Sequence, residues 1–118
     1  MGTILVTGGA GYIGSHTVKA LRSEGRDVLV LDDFSEGHRA ALLGAPCVTG
    51  SLADRTVLDR VLGGRRIDAV IHFAARCYVG ESVVDPRRYW RANALATFGL
   101  LDAVVEHRVP AVVFSSSC

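Results

Sequence analysis

The chain has 118 residues, 49% of them hydrophobic, and 13 Lys and Arg against 12 Asp and Glu leave a formal net charge of +1. That length suits one domain with a core of ordinary size, and that balance excludes an electrostatic claim on nucleic acid or on an anionic membrane surface. No apolar run nears the roughly 18 residues of a membrane span and no leader pattern opens the chain; Cys47, Cys77 and Cys118 lack metal-site spacing and suit a reducing cytosol, so a cytoplasmic protein without a metal is expected.

Thr3-Ile4-Leu5-Val6-Thr7 reads as a buried strand. A helix follows from about Ile13 to Ser23, ended by Glu24-Gly25. Asp27 to Leu31 is the second strand, 35–43 a loop with a short helix, and Pro46 to Thr49 a weak third strand. Asp54 caps a helix through Leu62, closed by Gly63-Gly64, and Asp68 to Phe73 is the fourth strand. Asp85-Pro86 supplies an N-cap and a first-turn proline for a helix to about His107, with Tyr89, Asn93, Ala96 and Leu100 on one face. Ala111 to Ser115 is the fifth strand. Such alternation predicts an α/β chain: a Rossmann-like, doubly wound parallel sheet in one domain over 1–118, with five strands where the fold usually has about six or more.

The first strand runs into Thr7-Gly8-Gly9-Ala10-Gly11-Tyr12-Ile13-Gly14, with glycines at i, i+3 and i+6. Gly8 permits a tight turn, Gly11 lets backbone approach a pyrophosphate, and Gly14 lets the helix pack closely. The N–H groups of Tyr12 and Ile13 then face the phosphates at the positive end of the helix. Asp32, ending the second strand, can accept hydrogen bonds from the adenosine ribose and repels a 2′-phosphate, so NAD is expected over NADP. Asp33 reads as its solvated neighbour.

These motifs carry a family resemblance over the whole chain. Val6 to His16 resembles the opening of extended short-chain dehydrogenases, the UDP-glucose 4-epimerase family in particular. Ile71-His72-Phe73-Ala74-Ala75 resembles that family's fourth strand, and Phe114-Ser115-Ser116-Ser117 the strand end with its catalytic Ser or Thr. Val79-Gly80-Glu81-Ser82-Val83, with Pro86 and Tyr89, is similar to the segment that separates the 4-epimerases from sibling dehydratases and UDP-glucuronate epimerases. The resemblance implies NAD as cofactor, a UDP-sugar substrate and a homodimer for the complete protein. It places Tyr12 and Ile13 at the pyrophosphate and the ribose on Asp32, Asp33, Phe34, Ser35, Glu36 and Gly37. Ser51 and Leu52 would flank the adenine, Phe73, Ala74, Ala75, Arg76 and Cys77 would run beneath the nicotinamide side, and Ala92 and Asn93 would also contact the cofactor. Ser117 would hydrogen-bond the sugar's 4-hydroxyl. In the family a hydride passes from C4 of the sugar to NAD, the 4-keto sugar rotates, and the hydride returns to the other face. The base is the Tyr of a Tyr-x-x-x-Lys pair, its pKa lowered by the Lys and the nicotinamide charge.

The chain departs from this pattern at Ser51, where the family usually has Asp, at Cys77, where many members have Lys, and at Ala92, where Asn is common. Tyr12, Tyr78 and Tyr89 are followed four positions on by His16, Ser82 and Asn93, so no Tyr-x-x-x-Lys pair is present. The reading is an N-terminal part of such a protein, expected to be inactive alone; the alternatives are a non-catalytic NAD-binding module or remnant, and another nucleotide-sugar epimerase or dehydratase. His72 reads as a packed strand residue, and Tyr89 and Trp90 as helix-packing aromatics. The fifth strand is expected to be an edge, with part of the sheet face lined by Val70 and Ile71 exposed.

Overall fold

The computed structural model describes residues 2–9, 12–33, 39–73, 87 and 94–114. In chain order they form β1 (Thr3–Thr7), α1 (Tyr12–Ser23), β2 (Val28–Asp32), a short 3-10 turn (Arg39–Leu42), β3 (Cys47–Thr49), α2 (Arg55–Gly63), β4 (Ile67–His72), α3 (Ala96–Glu106) and β5 (Val112–Phe114). The strands make one parallel sheet in the order β3-β2-β1-β4-β5. The order reverses between β1 and β4, the position at which sheets of this kind bind ligands at their carboxyl ends.

Central strands of such a sheet are covered on both faces and so carry continuous apolar runs. One face of the sheet presents Leu5, Leu29, Leu31 and Val70 to Leu58, Val61 and Leu62 of α2 and to Leu100, Ala103 and Val104 of α3. The other presents Val6, Val28 and Val30 to Val18 of α1 and to Leu42 and Ala45 around the 3-10 turn. The expected exposure of a face lined by Val70 and Ile71 is corrected for Val70: neighbours in a strand point to opposite faces, Val70 is fully buried under α3, and Ile71, on the other face, is partly exposed. Among the described residues β5 pairs with β4 alone, and its Val113 and Phe114 are 54% and 42% exposed.

The helix ends follow local chemistry. Asp54 caps α2 by accepting the Thr56 N–H at 3.0 Å. After α1, Gly25 takes φ +79°, and the N–H groups of Gly25 and Arg26 return to the carbonyls of Arg22 and Leu21 at 3.0 and 3.1 Å, the paired bonds of a left-handed helix stop. The same pair of bonds ends α3, where Arg108 rather than glycine carries the positive φ of 55°. Gly64, expected to stop α2 by such freedom, instead stays right-handed at φ −81° and donates to the Arg60 carbonyl at 3.0 Å. The expected start of the third helix, with Tyr89 and Asn93, lies outside the described residues; Ala96 and Leu100 of the same predicted face are buried.

β4 begins one residue earlier than its sequence pattern suggests. Thr3 pairs with Ile67 and Ile4 with Ala69, so Asp68 is an extra residue in the ladder. Its carboxylate accepts the Gly2 N–H at 2.8 Å and the Arg66 guanidinium at 2.9 Å. Those partners, the Gly2 N–H foremost, hold its pKa below the ordinary value.

Candidate functional site

The carboxyl ends of the strands are tied into one rim. The Gly8 N–H donates to the Leu31 carbonyl at 2.9 Å, the Gly50 N–H to the Asp32 carbonyl at 3.1 Å, and the Phe73 N–H to the Thr7 carbonyl at 2.8 Å. Gly8 turns the chain out of β1 at φ +74°, a conformation that costs glycine little. A Cβ on Gly14 would fall within contact distance of the Gly8 carbonyl oxygen and 2.9 Å from the Gly9 Cα. Gly14 therefore lets α1 close onto the loop backbone itself, where the spacing argument placed the close approach at the strand.

Sequence reasoning passed over Gly9. A Cβ there would meet the two Cγ atoms of Val30 at 2.8 and 2.9 Å and one of Val18 at 3.2 Å. The signal was the Gly8-Gly9 pair itself: the first glycine turns, and the second lets the turn lie flat on β2 and α1.

α1 begins at Tyr12, so the Tyr12 and Ile13 N–H groups fall in its first turn, which has no acceptors within the helix. Ile13 is half exposed. One strand over, Asp32 ends β2 half-buried and Asp33 follows it exposed. Beyond β3, Ser51 is exposed, with its Oγ accepting the Ala53 N–H at 3.0 Å, while Leu52 is anchored in the core. Phe73 continues β4 and packs partly against the core on the α1 side. The structure thus brings Gly8, Tyr12, Ile13, Gly14, Asp32, Asp33, Ser51, Leu52 and Phe73 to one edge of the sheet. Gly11, Phe34, Ser35, Glu36, Gly37, Ala74, Ala75, Arg76, Cys77, Ala92, Asn93 and Ser117 lie outside the described residues.

His72 ends β4 at this rim and is 3% exposed. Its Nδ1 shares a hydrogen bond of 2.6 Å with the Thr7 hydroxyl, and its Nε2 one of 3.3 Å with the Thr97 hydroxyl of α3. The Phe114 ring meets it edge-on at 5.6 Å. It is a packed strand residue, as its sequence context suggests, and it ties β1, β4, β5 and α3 together. Burial holds its imidazole below the ordinary value of 6.5. Between those two values the unfolded chain takes up a proton that the folded chain refuses. This contribution to stability is whole above about pH 6.5 and is lost progressively as pH falls below it. The Asp59 and Asp68 carboxyls, held below 3.8, act only in a lower window. His72→Asn should therefore flatten the fall in stability between about pH 7 and pH 5, checked by urea midpoints for both proteins; equal slopes would contradict it.

Among the described residues, no cluster of His, Cys, Asp and Glu could hold a metal ion, and no helix is long and apolar enough to cross a membrane. What remains is a glycine turn closed on a helix N-terminus, with a carboxylate one strand away. That arrangement suits a dinucleotide: backbone donors for a pyrophosphate and an acceptor for a ribose.

Comparison with known proteins agrees. The NAD dependent epimerase/dehydratase family matches residues 4–118. A UDP-glucose 4-epimerase of Halalkalibacterium halodurans is 48% identical over 97% of this chain and 34% of its own length. The crystal structure of UDP-glucose 4-epimerase from Brucella ovis in complex with NAD superposes with a TM-score of 0.95 at 46% identity, over 100% of this chain and 36% of that one. The Bifidobacterium longum enzyme in complex with NAD+ and UDP gives 0.94 at 37% identity, over 98% of this chain and 37% of that one. The chain thus spans about a third of the length of these relatives. With its strand order, its glycine turn and these matches in agreement, the chain belongs to the NAD dependent epimerase/dehydratase family.

Proposed function

We propose that this chain is the NAD-binding part of a UDP-glucose 4-epimerase. The observation that carries the reading is the turn at Gly8 closed against Gly14, with Asp32 at the end of the adjacent strand. A dinucleotide fits these residues. The space a Cβ would fill at Gly14 is what allows the first turn of α1 to approach the loop, and the N–H groups of Tyr12 and Ile13 there would hold the pyrophosphate. Asp32, with Asp33 and residues 34–37, would hold the adenosine ribose. Ser51 and Leu52 would meet the base. Phe73 to Cys77 would run beneath the nicotinamide side, Ala92 and Asn93 would also contact the cofactor, and Ser117 would hydrogen-bond the 4-hydroxyl of the sugar.

Bound NAD would supply a reversible hydride acceptor for C4 of a UDP-sugar, which permits inversion at that carbon. A solved relative from Thermotoga maritima holds UDP-glucose, at 35% identity and a TM-score of 0.91, which supports this substrate class for the whole protein. The test is calorimetric titration of the chain with NAD and NADP. NAD should bind more tightly, and Asp32→Ala should weaken NAD by about 1–3 kcal/mol, the scale of a lost charged hydrogen bond. Equal NAD affinity with and without the carboxylate would overturn the assignment.

A further inference from the structure

We infer that His72 is a positioning residue for the dinucleotide: through Thr7 it fixes how the end of β1 stands against the end of β4, and so the seat on which NAD would rest. This rests on the NAD reading above and concerns the walls of that site, not its contacts with the ligand.

On the face covered by α2 and α3 the sheet is built in cross-strand rows. Leu29, Leu5, Val70 and Val112 form one row across β2, β1, β4 and β5. The next row on that face, at the carboxyl ends, is Leu31, Thr7, His72 and Phe114. Polar side chains replace apolar ones in it on β1 and β4, the two strands between which the strand order reverses. Water is not the reason, because Thr7 is 0% and His72 3% exposed.

A buried polar pair adds little net stability, since apolar groups of the same shape serve a core about as well, but it demands one geometry. At 2.6 Å the contact between the Thr7 hydroxyl and His72 Nδ1 is shorter than the roughly 2.7–3.2 Å of an N–H donor and suits an O–H donor. Thr7 therefore donates. The ring proton stands on Nε2, which donates to the Thr97 hydroxyl of α3 at 3.3 Å. Each ring nitrogen has one role and one partner, so the ring cannot turn over without losing both bonds.

Thr7 is also where the two chains part. The ladder between β1 and β4 ends at the pair Thr7 and His72. The Thr7 carbonyl accepts the Phe73 N–H at 2.8 Å, and the next residue, Gly8, bonds away to the Leu31 carbonyl of β2 at 2.9 Å. Beyond the pair, β1 leads into the glycine turn and α1, and β4 leads into Phe73. The bond from Thr7 to His72 is thus the side-chain tie at the mouth of the crevice, and Thr97 fixes it to α3. Without it the glycine turn can shift against the Phe73 end, and a site that must first be brought into shape binds more weakly.

The experiment measures NAD affinity by calorimetry and stability by urea midpoint on the same variants. T7V/H72L/T97V, which replaces the trio by apolar groups of similar size, should keep a midpoint near the native one and bind NAD about tenfold or more weakly. T7V alone should weaken NAD to a similar degree, while T7S, which keeps the hydroxyl, should bind within about threefold of the native chain. Leu62→Ala, which removes a buried side chain near the far end of α2, should lower the midpoint and also stay within about threefold for NAD. If the triple variant does not fold, T7V and T7S decide. NAD affinity within about threefold of native in T7V, or a loss in Leu62→Ala equal to that in T7V, would overturn the inference while leaving NAD binding intact. A native chain that binds no NAD would overturn the NAD reading itself, and this inference with it.

Discussion

Gly14→Ala is expected to destabilise the chain by about 1–3 kcal/mol and to remove NAD binding in the molecules that still fold. The added methyl would meet backbone, the Gly8 carbonyl oxygen and the Gly9 Cα, rather than a side chain that could turn aside. Relief requires α1 to lift or the Gly8 turn to open. α1 is fixed by Val18, 1% exposed and packed with Val28 and Val30, and the turn by the bond from the Gly8 N–H to Leu31. Either movement separates the loop from the helix start that together would hold the pyrophosphate. Gly25→Ala is the matched control. Gly25 has positive φ but nothing within 4 Å of a Cβ, so its cost of about 1 kcal/mol should come without loss of NAD affinity. Urea unfolding and NAD titration of both variants decide the matter. A Gly14→Ala chain that melts and binds like the native one would show that α1 does not need this close approach.

Leu100→Ala should cost about 2–5 kcal/mol, a large share of the roughly 5–15 kcal/mol that holds a domain of ordinary stability together. Leu100 is fully buried and sits in the cluster formed by α2, α3 and the Leu5 and Val70 side of the sheet. Its loss leaves a cavity where β4, β1 and two helices meet, so partial collapse can recover only part of the lost contact. Two positions earlier on the same helix, Phe98 is 60% exposed, and Phe98→Ala should fall within about 0.5 kcal/mol of the native chain. Denaturant midpoints of the two variants test the orientation of α3 directly; comparable losses would mean that the helix is rotated from the position described.

Local chemistry made much of this legible. β1 appears at the residues its apolar run predicts because a central parallel strand must be apolar on both faces. Asp54 and Gly25 act as the caps their residue types suggest. Where the reading fell short, the missing information was three-dimensional. Gly9 matters because Val30 and Val18 stand opposite it, and neither is near it in sequence. Arg108 ends α3 in a left-handed conformation that nothing about arginine announces. His72 could be assigned to a strand from its neighbours, but its hydroxyl partners, Thr7 and Thr97, come from elements apart in the chain. At the candidate site, the turn at Gly8 and a close approach at Gly14 were readable from glycine spacing, though not that Gly14 meets the loop backbone rather than the strand. The bond that the Ser51 hydroxyl accepts from the Ala53 N–H was not readable in the sequence.

The extra residue at Asp68 makes the two ends of β4 unequal in their tolerance of change. Ordinary alternation counted back from Val70 would send Ile67 to the α1 side of the sheet, yet Ile67 packs with Val70 and Leu5 on the opposite side. The strand's phase is reset at Asp68. A residue gained or lost in the 63–66 turn can be taken up there, because the offset already exists. From Ala69 to His72 there is no such slack. Each residue is matched to one of β1 from Ile4 to Thr7, and a slip of one place would carry His72 away from the Thr7 hydroxyl and turn it toward the apolar layer beneath α1. In a diverging lineage, insertions and deletions should therefore accumulate at the amino end of the sheet and be purged from the carboxyl end, where the ligand would sit.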